Sequence, residues 1–290
     1  MVGRTPSNII LYRPLQEGVI ADYQATKALL QYFLSKIRFS KIFKPILVVS
    51  VPAGVTSTEE RALRDAALEA GAKEVYPIRE PLLAALGAEL KIHEPRGHMI
   101  VNIGGGTSEI AVISLQGIVT FESIRVAGDK LDEAIKEYFR RKMNLSIGDQ
   151  TAEMVKIKVG SALPYRNGQK LSELSIDLKG IDTITGLPKV VKITANHIAE
   201  AIQRELKDII EAIKRVLAKT PPELIADIME NGLVLSGGVA LLRRLDELIT
   251  QQTGVKAIIA DDPQFAVARG TAKVLEKIDI YRQIILAHKK

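Results

Sequence analysis

The chain has 290 residues, of which 47% are hydrophobic and 26% are charged, and it contains no cysteine. This composition is that of a globular protein, and it excludes a disordered chain, a collagen-like chain and a coiled coil over the full length. The absence of cysteine excludes disulfides, thiolate metal sites and cysteine nucleophiles. The length is long for one domain and comfortable for two.

The charge and the hydropathy of the chain limit which binding partners and which cellular compartment we expect. Lys and Arg number 40 against 34 Asp and Glu, which gives a net charge of +6. A mildly basic chain can favour an anionic membrane surface, but without aromatic residues among the basic ones we expect no nucleic-acid partner. No apolar run reaches the roughly 18 residues of a transmembrane helix, and the first residues lack the apolar stretch of a signal peptide. These features fit a reducing cytoplasm, and the four scattered histidines predict no metal site.

Short aliphatic runs alternate with amphipathic segments in the first third of the chain. The hydroxyl run Thr56–Thr58 is suited to cap a helix, because the acidic Glu59 and Glu60 follow it in the first turn. The predicted elements are strands over 46–51 and 74–78 and helices over 56–70 and 81–90. This βαβα order predicts a parallel sheet.

A turn-rich segment at residues 94–97 marks a candidate boundary, after which the pattern restarts. Three strands joined by tight turns predict an antiparallel meander, and a later segment predicts an exposed hairpin with turns at Gly180 and Gly186. The predicted strands are 98–103, 107–113, 118–126, 232–236 and 256–259, with the hairpin inside 171–194. The predicted helices are 129–143, 149–159, 196–218, a short one after Thr220, 241–252, and one from 263 toward 278.

Three consecutive glycines, Gly104, Gly105 and Gly106, stand between two apolar strands and are followed by Thr107. Glycine lets a phosphate approach the backbone, and successive N–H groups in such a turn form a concave anion site. The Thr107 hydroxyl would orient a water molecule or a phosphate oxygen. A tight hairpin without a ligand explains the same pattern about equally well.

A second glycine turn, Gly237-Gly238, ends the strand at 232–236 and opens toward a helix. It offers a platform for a planar base or a ribose, because no side chain blocks the approach. Close packing of strand and helix is the competing interpretation. Two such turns at strand ends favour a shared nucleotide cleft between two domains, with the turns facing each other across it.

Three charged residues are weaker candidates. Glu80, at a strand end, would orient or deprotonate a water molecule that attacks a phosphate, but an exposed acid at a helix start explains it as well. Glu153 and Lys156 lie at i and i+3 on one predicted helix, where a surface ion pair is the simple explanation.

The chain resembles the bacterial actins of the rod shape-determining MreB family. The resemblance covers essentially all 290 residues and is carried by several motifs together. These are Gly3–Asn8, Arg13-Pro14 with Gly18–Tyr23, Glu80-Pro81, Asn102–Thr107, Ala127–Asp129, Gly186–Pro188, Thr220–Leu224 and Ser236–Gly238.

The resemblance implies the actin/Hsp70/sugar-kinase fold, a ribonuclease H-like α/β fold whose two halves close on ATP and Mg²⁺, and it implies filaments that direct cell shape and cell-wall synthesis. Residues 1–95 would be the remainder of the first half, containing subdomain IA and the end of IB. Residues 96–290 would be the second half, with IIA at about 96–127 and 200–290 and IIB at about 128–199.

By position in the family, Asn102 and Gly104–Thr107 would belong to a phosphate loop and Gly237 and Gly238 to the adenosine loop. Glu153 and Lys156 would lie near the nucleoside, and Glu80 would be the water-activating acid, with 266–270 as a hinge segment.

The sequence departs from the family pattern in ways that bear on hydrolysis. The first phosphate loop of the family precedes the point where this sequence starts, so we expect the first domain to be incomplete. Asn102 stands where the family usually has an aspartate that helps to hold hydrated magnesium, and asparagine lacks that charge. Val239 replaces a usual third glycine. Because phosphoryl transfer depends on positioning and electrostatics, we expect ATP hydrolysis to be impaired or absent.

A loop with two bulky apolar residues, Ile42 and Phe43, is flanked by basic residues. Apolar side chains beside lysines can anchor a peripheral protein at an anionic membrane, and the family's membrane-inserting loop matches this position. Packing of both residues into the core before the strand at 46–51 is the alternative. The flanking basic residues are Lys36, Arg38, Lys41 and Lys44.

The leading interpretation is a cytoplasmic, membrane-associated cytoskeletal protein whose partners are other filament subunits, the anionic membrane and cell-wall elongation proteins. Two alternatives remain at this point. One is a chaperone or a sugar kinase of the same superfamily. The other is a non-catalytic short paralogue that co-assembles with a complete bacterial actin.

Overall fold

The computed structural model describes residues 13–16, 18–37, 44–165, 174–281 and 284. Its first unit pairs two parallel strands, β3 and β4, as predicted, with Ile46 opposite Glu74 and Val51 opposite Arg79. Thr56 caps helix α2, and a capping box with Glu59 completes the cap. The elements are β1 (Leu15–Gln16), β2 (Val19–Ile20), α1 (Tyr23–Lys36), β3 (Ile46–Val51), α2 (Ser57–Glu69), β4 (Glu74–Arg79) and α3 (Glu80–Gly87).

The centre of the second unit is a mixed sheet. Strands β5 (His98–Ile103), β6 (Ser108–Ser114) and β7 (Gly117–Ile124) form the predicted antiparallel meander. Strands β11 (Leu233–Ser236) and β12 (Ala257–Ile259) extend it in parallel on the other side of β5. Within the described residues the strand order is β12-β11-β5-β6-β7.

A smaller antiparallel sheet lies between the meander and the C-terminal helices in sequence. It consists of β8 (Leu145–Ser146), which lies between helices α4 (Gly128–Met143) and α5 (Asp149–Val159), and of β9 (Ser175–Asp182) and β10 (Pro188–Thr194), which follow α5. Gly186 lies in the turn of the hairpin with φ of 72°, as predicted. The prediction of a turn at Gly180 is wrong: Gly180 lies inside β9, and a Cβ there would be 2.6 Å from the Ser146 carbonyl oxygen of β8.

The long helix predicted over 196–218 is two helices, α6 (Ala195–Ala201) and α7 (Gln203–Lys219). The break falls at the fully buried Ile202, whose ψ of 5° leaves the helical range. Helix α9 also begins later than predicted, because a 3-10 turn, Gly238–Leu241, follows the glycine pair. The remaining elements are α8 (Pro222–Asn231), α9 (Leu245–Thr253), a 3-10 turn (Pro263–Phe265) and α10 (Ala266–Glu276).

The mixed sheet has a hydrophobic core on each face. Met99, Val101 and Ile103 of β5 face the larger core with α4 and α7. Ile100 of β5 faces the second core, which α3 and α10 cover. Residues on opposite faces alternate along β5, as a strand buried on both sides requires.

Helices α3 and α10 cross in very close contact. A Cβ on Gly87 would lie 1.7 Å from the Ala266 carbonyl oxygen, and a Cβ on Gly270 would lie 1.9 Å from the Leu83 carbonyl oxygen. Only glycine permits this backbone-to-backbone approach. The crossing joins the first unit to the C-terminal part of the chain. Of the helices that the structure describes, none is long and apolar enough to cross a bilayer.

Candidate functional site

The triple-glycine loop follows β5 directly and is bonded to the start of α4. Gly104 N–H donates to the Thr107 carbonyl at 3.0 Å, which closes the turn. The carbonyls of Gly104 and Gly105 accept from the N–H groups of Gly128 (3.1 Å) and Asp129 (2.8 Å). The loop and the N-terminus of α4 therefore form one hydrogen-bonded structure at the carboxyl end of the sheet.

The second glycine turn lies beside the first. Ser236 is paired with Asn102 in the parallel register of β11 and β5, so both strands end at the same edge. Gly237 has φ of 85°, and a Cβ there would be 2.2 Å from the Ile103 carbonyl oxygen. The expectation that the two turns face each other across a gap between two domains is wrong, because adjacent strands of one sheet carry both. Loops at the carboxyl ends of parallel strands are nevertheless the usual place for a ligand in α/β folds.

A cleft of about 370 Å³ opens at these loops. Five of the predicted residues line it: Gly104, Gly105, Glu153, Lys156 and Gly238. Glu80, Asn102, Gly106, Thr107 and Gly237 lie outside its lining. Lining residues that the sequence analysis did not select are Gly128, Asp129, Asp132, Ile157, Gly160, Val239, Leu241, Leu242, Arg243 and Gln264.

Lys156 ties the two helices of the cleft together. Its Nζ donates to the Gly128 carbonyl at 2.9 Å and forms an ion pair with Asp132 at 2.9 Å. The side chains of Lys156 and Asp132 are 12% and 14% exposed, so the pair is shielded from water. Lys156 therefore pairs with α4 rather than with Glu153, its neighbour at i and i+3.

The amide of Asn102 connects Glu80 to the end of β11. Asn102 Nδ2 donates to Glu80 Oε1 at 2.6 Å, and Asn102 Oδ1 accepts from Ser236 Oγ at 2.9 Å. Asn102 is 2% exposed. The structure thus places Glu80 beside the strand that carries the triple-glycine loop, as its proposed role requires, and gives both amide atoms of Asn102 a protein partner.

The environment of Glu80 disfavours its charged form. Burial, and then the nearby Glu109 carboxyl, raise the pKa of Glu80 to about 7, although the hydrogen bond from Asn102 opposes the rise. Burial also raises the pKa of Glu109. A carboxyl that titrates near neutral pH is suited to accept a proton from water.

Several residues that lie in or near the cleft were not predicted from the sequence. Asp129 and Asp132 share one face of α4 at i and i+3, a spacing that could have suggested a common site. Glu109 and Arg243 carry no such local signal. The predicted membrane residues Ile42 and Phe43 lie outside the described residues.

Comparison with known proteins identifies relatives along nearly the whole chain. The model of the MreB/Mbl protein family matches residues 1–283. Mbl of Bacillus cereus, a cell shape-determining protein, is 46% identical over 280 residues, which are 96% of this chain and 83% of that protein. The cell shape-determining protein MreB of Escherichia coli is 45% identical over 283 residues, 97% of this chain and 80% of that protein.

Solved structures agree with this relationship. MreB5 of Spiroplasma citri bound to ADP has a TM-score of 0.89 at 38% identity, covering 97% of this chain and 83% of that one. The MamK double helical filament, at 22% identity, shares the fold with a TM-score of 0.75 over 91% of this chain and 80% of that one.

These likenesses confirm the predicted actin-like α/β fold and the predicted cytoskeletal class. They fit cell shape-determining proteins rather than the chaperone, sugar-kinase or non-catalytic paralogue alternatives. The chain belongs to the MreB/Mbl family of actin-like, cell shape-determining proteins.

Proposed function

We propose that this chain binds ATP with Mg²⁺ in the cleft at the glycine loops and assembles into filaments on the membrane. The observation that supports this best is the cleft itself, where two glycine turns from neighbouring strands meet at one sheet edge. The relative MreB5 of Spiroplasma citri was crystallised with ADP and with AMPPNP, which supports nucleotide in the same place.

The cleft-lining glycines leave room that a ligand can use. A Cβ on Gly104 or Gly105 would meet no atom closer than 3.5 Å and 3.7 Å, and one on Gly238 would meet nothing within 4 Å. Packing within the protein therefore does not require glycine at these positions. The space that a side chain would fill is open to a phosphate or a base. We assign the phosphates to Gly104 and Gly105 and the base to the side of Gly238, where Ile157 and Leu242 supply apolar wall.

Magnesium fits this site as a companion of the nucleotide. In the described residues no group of three His, Asp or Glu could hold a metal ion by itself. Mg²⁺ usually takes one or two carboxylates, with phosphate oxygens and water as its other ligands. Asp129, at the mouth of the cleft, would supply the carboxylate. Bound Mg²⁺ would neutralise phosphate charge.

Hydrolysis would depend on Glu80 and Thr107. In its ionised form Glu80 would accept a proton from the attacking water, and the Thr107 hydroxyl would help to orient that water. Asn102 would hold Glu80 in place through its amide. This assignment agrees with the family position of both residues.

Replacing Gly238 by Ala tests the nucleotide site. The new methyl has room in the folded protein but occupies the cleft, so we expect ATP affinity to fall about tenfold or more while the unfolding midpoint stays unchanged. Titration with a fluorescent ATP analogue measures the affinity, and negative-stain microscopy with ATP measures filaments.

Gly117→Ala is the matched control, because Gly117 lies outside the cleft and its Cβ would meet only the Ser114 carbonyl oxygen, at 3.6 Å. It should bind ATP and form filaments like the parent. Equal ATP affinity in Gly238→Ala and the parent would contradict the site, and a parent that forms no filaments with ATP would contradict the assembly.

Self-association follows from membership of a filament-forming family. We further propose that the filament lies in the cytoplasm on the anionic membrane and contacts cell-wall elongation proteins. In the proposed division of the chain, residues 1–95 belong to the first actin-like half and 96–290 to the second. Ile42 and Phe43 are the proposed membrane anchor.

Replacing both Ile42 and Phe43 by Ser tests the anchor. Loss of two large apolar side chains should reduce binding to anionic liposomes at least tenfold in co-sedimentation. Replacing the exposed Leu115, in the β6–β7 turn, by Ser is the control and should leave binding unchanged. Binding by the double variant at the parent's level would rule out these residues as the anchor.

A further inference from the structure

A row of polar side chains crosses the second core face of the mixed sheet. Register places Ser236 of β11 beside Asn102 of β5, Asn102 opposite Glu109 of β6, and Glu109 opposite Ser123 of β7. Ser236, Asn102 and Glu109 are at most 2% exposed. Because paired residues on neighbouring strands project to the same face, this polar row runs continuously from β11 to β7.

Glu109 binds the first unit to this row. Its Oε2 accepts from Ala53 N–H at 3.0 Å, and its Oε1 accepts from Ser123 Oγ at 2.6 Å. Ala53 belongs to the loop that follows β3, 56 residues earlier in the chain. The Ala53 carbonyl in turn accepts from the Arg79 guanidinium. The buried Glu109 carboxylate and the Arg79 guanidinium therefore hold the same loop at Ala53. Arg79 is the residue directly before Glu80.

The charges around Glu109 are few. Arg79, on β4, favours the ionised form of Glu109, and the Glu109 carboxyl in turn raises the pKa of Glu80. The elements packed against Glu109 otherwise contribute neutral groups: the Ser123 hydroxyl of β7 and the Ala53 amide as hydrogen-bond donors, and Asn102 of β5 as the cross-strand neighbour. Two carboxyls with little compensation in one buried region do not ionise independently.

We propose that Glu109 is a positioning residue for Glu80: its contact with the Ala53 loop helps to hold Arg79, the end of β4 directly before Glu80, and its protonation is coupled to that of Glu80 across Asn102. The role of Glu80 toward water rests on the proposed function, but the coupling does not. In a filament subunit, movement of the Ala53 loop away from Glu109 would change the ionisation of Glu80 without touching the nucleotide.

Carbon-13 NMR of protein labelled at the glutamate carboxyls tests the coupling without nucleotide. Glu80→Gln removes and so assigns the Glu80 signal, and Glu109→Gln does the same for Glu109. We expect Glu109→Gln to lower the titration midpoint of Glu80 by at least about half a pH unit. Because coupling is reciprocal, Glu80→Gln should lower the midpoint of Glu109 by the same amount.

Two further variants separate coupling from a structural defect. Glu109→Asp keeps the charge and should return the Glu80 midpoint toward that of the parent. Glu122→Gln removes a neighbouring carboxyl that points to the other face and pairs with Arg215, so it should leave the Glu80 midpoint unchanged. Unchanged midpoints in both Glu109→Gln and Glu80→Gln would overturn the proposal. Absence of ATP binding by the parent would count against the proposed function alone.

Discussion

Replacing Gly270 by Ala will destabilise the protein by about 3 kcal/mol or more, although alanine normally stabilises a helix interior by about 1 kcal/mol over glycine. The reason is the crossing of α3 and α10, where the new Cβ would lie 1.9 Å from the Leu83 carbonyl oxygen and 2.7 Å from its carbonyl carbon. Backbone atoms cannot rotate away as a side chain can, so the two helices must separate. Urea unfolding followed by circular dichroism measures the change.

A reference in the same helix separates packing from propensity. Ala272 is an exposed residue of α10, and Ala272→Gly should cost only about 1 kcal/mol. Gly87→Ala, on the other helix, should behave like Gly270→Ala, because its Cβ would lie 1.7 Å from the Ala266 carbonyl oxygen. A Gly270→Ala protein as stable as the parent would mean that the helices do not approach this closely.

Replacing Glu80 by Gln will make stability less dependent on pH. The folded protein holds the Glu80 proton up to a pKa of about 7, whereas the unfolded chain releases it near the usual 4.5. Since the folded state binds the proton more tightly, this stabilisation is complete below pH 4.5 and is lost as the pH rises through about 7. The difference corresponds to about 3–4 kcal/mol at most, at about 1.4 kcal/mol for each pKa unit.

Glutamine keeps the oxygen that accepts from Asn102 but cannot ionise. We therefore expect Glu80→Gln to match the parent at pH 4 and to exceed its free energy of unfolding at pH 8. Unfolding midpoints across that range provide the measurement. Glu89→Gln, at an exposed carboxyl, is the control and should leave the pH dependence of the parent intact. Parallel curves for Glu80→Gln and the parent would contradict the assignment.

Local signals in the sequence predicted most elements correctly. The run Thr56–Thr58 before the acidic Glu59 and Glu60 marked the start of α2, and the aliphatic runs gave β3 and β5 their observed bounds, Ile46–Val51 and His98–Ile103. These signals depend only on neighbours within a few residues. The resemblance to the MreB family supplied the architecture that local patterns alone did not specify.

The errors arose where tertiary packing overrides local pattern. Apolar residues keep helical spacing across Ile202, so nothing in the spacing indicated the break between α6 and α7. Gly180 resembles a turn residue, yet it is glycine because β8 passes too close for a side chain. In both cases the cause lies in an element that is not adjacent in sequence.

The candidate site was predicted as a set of residues but not as a geometry. The glycine turns were found, whereas their side-by-side arrangement depends on Ser236 pairing with Asn102, 134 residues apart. The partner of Lys156 proved to be Asp132 for the same reason, since α4 and α5 meet only in the fold. A side chain whose partners are distant in sequence, such as Glu109, produces no periodic pattern in the sequence that could predict its role.

The seating of Gly237 on the backbone of Ile103 has a mechanical consequence. With a positive φ and no space for even a methyl group, the later bend rests directly on the strand that leads into the triple-glycine loop. The Gly237 turn therefore cannot shift without shifting the triple-glycine loop as well. A molecule bound by both turns would contact one rigid unit, so a displacement at one end of that molecule would be transmitted to the other end.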